Sequence, residues 1–300
     1  MARKQRRTTP RRSSSKRKTT TTRRRSRPAR RPTAGSDVIR IVPLHYPKPS
    51  YSIDELAAQK AGVTGDLYDG RPRPAPSTAK LAYRNGPLLT AVRVSVVFWG
   101  ASWSTSASAA PLRSQIDAFF GYVLTSALID QLAEYNVPGQ SIGHGVYLGS
   151  TVRTDNAPVG SVTDATVRAQ VVQWISAGAV PARTPNSLYF VYLEPGIVSV
   201  MGGSKSCQNY CGYHDATGSV YYAVMPYPSC AGCLGGLALI DALTGTSSHE
   251  LCESITDPVP GTGWYDDING EIGDICAWNF KQLGAFTVQQ EWSNAQNRCV

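Results

Sequence analysis

From residue 88 onward, apolar side chains recur with two periods, and their order predicts a sheet covered by helices. Residues 91–99 (A-V-R-V-S-V-V-F-W) are β-branched and strongly apolar, as expected of a central strand. Residues 111–135 place Ile116, Phe119, Phe120, Val123, Leu124, Leu128, Ile129 and Leu132 at helical spacing, which predicts one long or broken helix. A strand at 145–152 and an amphipathic helix at 164–177 follow, the helix with Val167, Val171, Val172 and Ile175 on one face. Residues 187–193 and 219–225 read as two more strands. Residues 234–256 form a helical stretch, apolar at first and charged later, and 286–292 a terminal strand. Strands that precede and separate helices predict an α+β fold with a mixed sheet covered by helices. A body of about 210 residues, 88–300, is large enough for one core.

Upstream the pattern stops. Residues 37–87 are rich in proline, with Pro43, Pro47, Pro49, Pro72, Pro74 and Pro76, and carry a short apolar stretch at 38–44 and one short helix at 53–61. They are expected to be a linker or a segment that wraps the body. Residues 1–36 form a basic arm. Arg3, Lys4, Arg6, Arg7, Arg11, Arg12, Lys16, Arg17, Lys18, Arg23, Arg24, Arg25, Arg27, Arg30 and Arg31 make up 15 of the 30 Lys and Arg, and no acidic residue precedes Asp37. The other 15 basic residues face 21 acidic ones, a formal −6, so the overall +9 belongs to the arm.

A segment of Arg, Lys, Ser, Thr and Pro cannot bury enough surface to offset the entropy of ordering, so the arm is expected to be disordered. Its charge predicts nucleic acid as the partner of residues 1–33, bound without sequence preference through counterion release. No apolar stretch of about 7–15 residues follows the charges, as a secretory leader requires. No run approaches the roughly 18 apolar residues of a membrane span. The expected location is the nucleus or a virion, and no membrane partner is expected.

The chemistry candidate is S-S-H-E-L-C-E-S-I-T-D-P at 247–258. On a helix His249 and Glu253 are four apart and face the same way, the geometry by which an H-E-x-x-H helix presents two metal ligands. Glu250 lies beside that face, where a general base toward water belongs. The second ligand is then a carboxylate, which zinc accepts. Further ligands are expected from G-E-I-G-D at 270–274, namely Glu271 and Asp274. Zn²⁺ is the expected cofactor. Recruiting Asp274 or Asp257 as well would favour a harder divalent ion such as Ca²⁺ or Mn²⁺.

All seven cysteines lie in the last third of the chain. Cys207, Cys211, Cys230 and Cys233 form C-x3-C and C-x2-C separated by 18 residues, a spacing open to a structural zinc site or to disulfides. Seven is odd, so one thiol stays unpaired in an oxidised monomer. Cys252, inside the expected helix, is expected to be buried.

The ordered set S-C-Q-N-Y-C-G-Y-H (206–214), P-S-C-A-G-C (228–233), S-H-E-L-C-E-S-I-T-D-P (248–258), G-W-Y-D-D (263–267), G-E-I-G-D-I-C-A-W (270–278) and V-Q-Q-E-W-S-N-A-Q-N-R-C (288–299) resembles the EXORDIUM, or phosphate-induced protein 1, family, especially its bacterial and fungal relatives. The resemblance spans residues 88–300. The helix of that family looks like the active-site helix of a zincin peptidase, which implies a zincin-like core with an antiparallel edge strand. Carried over, it assigns metal binding to His249 and Glu253 and base catalysis to Glu250.

Two functions follow as expectations. One is a metal-dependent, peptidase-like hydrolase tethered to nucleic acid by the arm, a zinc-dependent enzyme of the H-E-x-x-E type. The other is a non-catalytic virion or nucleoprotein component with the same body. The plant relatives also suggest a carbohydrate-binding surface at Trp264, Tyr265 and Trp278.

Overall fold

The computed structural model describes residues 41–44 and 79–300. The basic arm, most of the proline-rich region and the helix expected at 53–61 lie outside the described residues. The described residues fall in one compact unit.

Six strands form the main sheet: β1 (Ile41–Pro43), β2 (Arg93–Trp99), β3 (Val146–Arg153), β4 (Ser187–Leu193), β5 (Tyr210–Thr217) and β6 (Val220–Met225). Their spatial order is β1-β5-β6-β4-β2-β3. Strands β6, β4, β2 and β3 run parallel, whereas β5 is antiparallel to both β6 and β1. The sheet is therefore mixed, with its antiparallel part at the β1 edge.

Side chains alternate across a strand, so each central strand feeds two cores. On one face Val94, Val96 and Phe98 of β2, Leu188, Phe190 and Tyr192 of β4 and Ala223 and Met225 of β6 share a cluster with two helices. These are α1 (Ala109–Val123), through Ile116, Phe119 and Phe120, and α3 (Leu239–Thr256), through Leu243, Leu251 and Ile255. On the other face Val97, Trp99, Val191, Leu193 and Val224 pack on α2 (Asp164–Ser176) through Val167, Val171 and Trp174. Burial on both faces explains why β2 and β4 read as continuous apolar runs.

The helix expected over 111–135 is broken. Helix α1 ends at Val123, and Ser126, whose Oγ accepts from Leu128 N, caps a new turn at Ala127–Asp130 that passes into a 3-10 helix, Gln131–Tyr135. The stretch expected over 234–256 begins only at Leu239, because Gly235 and Gly236 take positive φ (57° and 78°) and end a separate turn, Ala231–Leu234. The terminal strand is also divided: Phe286–Gln289 pairs with Phe280–Leu283 in a hairpin, and Trp292–Ser293 pairs with Arg298–Cys299.

The body reaches upstream of residue 88. Ala79 and Leu81 are buried in the main core, Ala82–Tyr83 pairs with Trp264–Tyr265, and Ile41–Pro43 supplies an edge strand. Among the described residues no single helix is long and apolar enough to cross a membrane.

Candidate metal centre

Helix α3 positions the site. Every residue of it from Ala242 to Thr256 is buried, although ten of those fifteen positions are polar, charged or glycine. Its hydroxyls find local partners: Ser247 Oγ lies 2.6 Å from Tyr192 Oη, Ser248 Oγ accepts from Gln289 N at 2.8 Å, and Thr244 Oγ1 donates to Thr287 O at 2.7 Å. The charged side chains His249, Glu250 and Glu253 turn toward β5 and the 270–274 loop.

Asp257 and Pro258 stop the helix. The Asp257 carboxylate accepts backbone N–H groups from Gly261 (2.6 Å), Thr262 (3.0 Å) and Gly263 (2.6 Å). It therefore shapes the turn and is removed from the candidate ligands.

His249 and Glu253 meet on one face as their spacing requires, with Nε2 and Oε1 2.9 Å apart. The 270–274 loop closes over them. Asp274 N donates to Glu253 Oε1 at 3.0 Å, Asp274 Oδ1 lies 3.8 Å from His249 Nε2, and Asp274 Oδ2 accepts from Glu271 N at 3.0 Å. Gly273 makes this approach possible, because a Cβ there would sit 2.8 Å from His249 Nδ1 and 2.9 Å from Glu253 Oε1.

Glu271 joins a different imidazole from the one expected. His214, on β5, faces α3 because its neighbour Tyr213 belongs to the opposite core. Its Nε2 lies 3.5 Å from Glu271 Oε1 and 3.2 Å from the Asp257 carbonyl oxygen. Its Nδ1 lies 3.1 Å from Glu250 Oε2 and 3.5 Å from Glu253 Oε2. Glu250, expected beside the His249 face, is thus the partner of His214. The donors form two groups that could hold a metal, His249–Glu253–Asp274 and His214–Glu253–Glu271, with ligand atoms in each within 4.8 Å of one another.

His214 was not among the residues singled out from sequence, although it ends the Y-C-G-Y-H motif. A signal was present. Thr217 pairs with Val220 across Gly218-Ser219, a two-residue hairpin turn that makes the residues before it a strand beside β6.

The centre is buried and crowded with charge. His249, Glu250, Glu253 and Glu271 have 0% exposed surface and His214 has 1%. Both nitrogens of His249, both carboxylate oxygens of Glu271, Glu250 Oε1, Glu253 Oε2 and Asp274 Oδ1 form no hydrogen bond. Burial opposes charge on both imidazoles, but the carboxylates around them prevail and hold each well above the usual histidine range: Glu271, Glu250 and Glu253 around His214, and Glu253, Glu250 and Asp274 around His249. Burial likewise raises Glu250, Glu271 and Asp274, the last two strongly. Glu253 alone goes the other way: burial would raise it, yet His249 and His214 bring it down to about 2. A cation among these donors would take the place of the protons, satisfying the orphaned atoms and compensating the buried charge.

The sulfur positions resolve the cysteine alternatives toward disulfides. Cys207 pairs with Cys230, Cys211 with Cys233 and Cys276 with Cys299, which leaves Cys252 free and buried in α3. Glu291, also buried, lies close enough to Cys252 to raise its thiol further, after burial itself.

The aromatic residues suggested for sugar binding are committed to packing. Tyr265 and Trp278 are buried, Trp278 Nε1 donates to Pro43 O at 2.8 Å, and Trp264 sits edge-on to Tyr135 with its Nε1 donating to Tyr135 O at 2.7 Å.

No protein-family model, curated protein or solved structure matches this chain.

Proposed function

We propose that the chain is a metal-binding nucleoprotein component, a body assembled around a closed cation site and carried to nucleic acid by its basic arm. The observation that carries this reading is the burial of the donors: His214, His249, Glu253 and Glu271 are buried and the Asp274 side chain is 3% exposed. Sites that turn over substrate keep an open ligand position, whereas structural sites are closed by protein groups. Two imidazoles accept Zn²⁺, while the carboxylate majority suits a harder ion such as Mn²⁺. The three disulfides fit an oxidising setting such as a virion better than the nuclear interior.

A second reading has its own support. His249 and Glu253 lie on one helix face as in a zincin-like peptidase, and Glu250 is held toward its protonated form by burial, with Oε1 lacking a hydrogen bond. In that reading His249, Glu253 and Asp274 would hold the ion, with Glu271 at the neighbouring His214; the ion would supply stabilisation of developing negative charge, and Glu250, when ionised, would serve as the base toward water.

One comparison separates the readings. The full chain, loaded with Zn²⁺ or Mn²⁺, is assayed on a peptide library beside Glu250→Gln. The closed-site reading expects no cleavage from either protein, and turnover by the wild type that Glu250→Gln abolishes would replace it with the hydrolase. The arm is tested by deleting residues 1–33, which should remove salt-sensitive DNA and RNA binding and leave the body's unfolding transition in place. Equal binding by the truncated chain would refute the division of labour.

A further inference from the structure

We infer that the buried centre holds two divalent cations, bridged by the carboxylate of Glu253. This rests on the cation-site reading above and extends it from the existence of a site to its nuclearity.

The two oxygens of Glu253 serve different imidazoles: Oε1 lies 2.9 Å from His249 Nε2, and Oε2 lies 3.5 Å from His214 Nδ1. Each imidazole brings a second carboxylate of its own, Asp274 at 3.8 Å from His249 and Glu271 at 3.5 Å from His214. Donors on one tetrahedral ion, each about 2.0–2.2 Å from it, stand about 3.3–3.6 Å apart. His249–Glu253 is shorter than that and His249–Asp274 slightly longer, but in each group one donor atom per residue lies within 4.8 Å of the others, so small side-chain adjustments give one ion per group. A carboxylate that offers one oxygen to each group holds its ions at the roughly 3.5–4 Å separation of two-metal sites.

Charge points the same way. Glu250, Glu253, Glu271 and Asp274 supply the carboxylates nearest the two imidazoles, the helix and loop bring no Lys or Arg among them, and the buried Glu291 adds further negative charge close to His249 and Glu253. When ionised the first four carry four negative charges. One divalent ion offsets at most half of that charge, which leaves room for a second.

The full chain is stripped with a chelator, loaded with Mn²⁺ and desalted. Manganese per chain is then counted by elemental analysis and native mass spectrometry, with electron paramagnetic resonance to detect an exchange-coupled pair. Two ions per wild-type chain with a coupled signal are expected, falling to one uncoupled ion in both His214→Ala and His249→Ala. One ion per wild-type chain would overturn the bridge and leave the single-cation reading standing. No retained ion would overturn both. Two ions surviving in both variants would place them elsewhere and likewise reject the bridge. Because the wild-type count decides nuclearity by itself, the test holds even if one variant fails to fold.

Discussion

Replacing Gly273 by alanine tests how tightly the loop and helix α3 fit each other. The backbone at this position is ordinary right-handed helical (φ −80°, ψ −38°), so alanine brings no dihedral strain. Its methyl group would lie 2.8 Å from both Cγ and Nδ1 of His249 and 2.9 Å from Glu253 Oε1. Ordinary contact begins at 3.4 Å, so the imidazole or the loop must give way by about 0.6 Å. Neither has free space, because His249 is fully buried and Glu253 is tied to Asp274 N. Overpacking of this kind costs about 1–3 kcal/mol. For a body of this size each kcal/mol shifts Tm by about 2–4 °C, which gives a loss of about 2–12 °C. Differential scanning calorimetry of the chelator-treated full chain measures it. The metal-loaded chain should show a larger drop, since the displaced imidazole also loses its ligand position. An alanine variant with unchanged Tm in both states would refute the close fit of loop against helix.

Two other expectations follow from groups away from the centre. Asp155 Oδ2 accepts from the buried Trp174 Nε1 at 2.7 Å and Oδ1 from Arg153 Nε at 2.7 Å, so Asp155→Ala strands the indole donor and should cost about 1–3 kcal/mol in urea unfolding at neutral pH. Burial pulls the Asp155 carboxyl up, but Arg153 and Trp174 outweigh it and hold it below the ordinary range. Its contribution is then fully present above the unfolded value of about 3.9 and lost as pH falls through the lower folded value; Asp155→Asn should flatten that acid limb, and an unaltered pH profile would contradict the assignment. Alkylation without reductant should label no cysteine in the native chain and one, Cys252, after denaturation. Each disulfide closes a loop of 22 or 23 residues, worth about 3 kcal/mol, so reduction should lower the midpoint sharply, whereas seven reactive thiols would refute the pairing.

The elements most legible in the sequence were those whose environment leaves a simple periodic trace. Strands β2, β4 and β6 are buried on both faces by helices, and their apolar runs predict them almost to the residue. Strand β5 escaped because its residues serve two tasks at once. Tyr210 and Tyr213 fill the α2-side core, Gly212 permits close approach of Thr246 and Glu250, and His214 carries charge into the centre, so no alternation survives in Y-C-G-Y-H-D. The i, i+4 pairing of His249 and Glu253 follows from helix geometry alone and was readable. The splitting of Glu271 and Asp274 between two imidazoles depends on how the 270–274 loop turns and on which strand lies beside α3. Both are tertiary facts without a local signature. Asp257 illustrates the converse, a carboxylate near the cluster whose hydrogen bonds to three backbone amides make it a helix stop.

The central claim is that the buried imidazole and carboxylate cluster of α3, β5 and the 270–274 loop is a cation site. Elemental analysis of the full chain, purified without chelator and exhaustively dialysed, tests it most directly. The account predicts a whole-number content of divalent metal that Glu253→Gln reduces, because Glu253 belongs to both donor groups. A chain that folds with less than a tenth of an ion per molecule, and takes up none on titration, would contradict it.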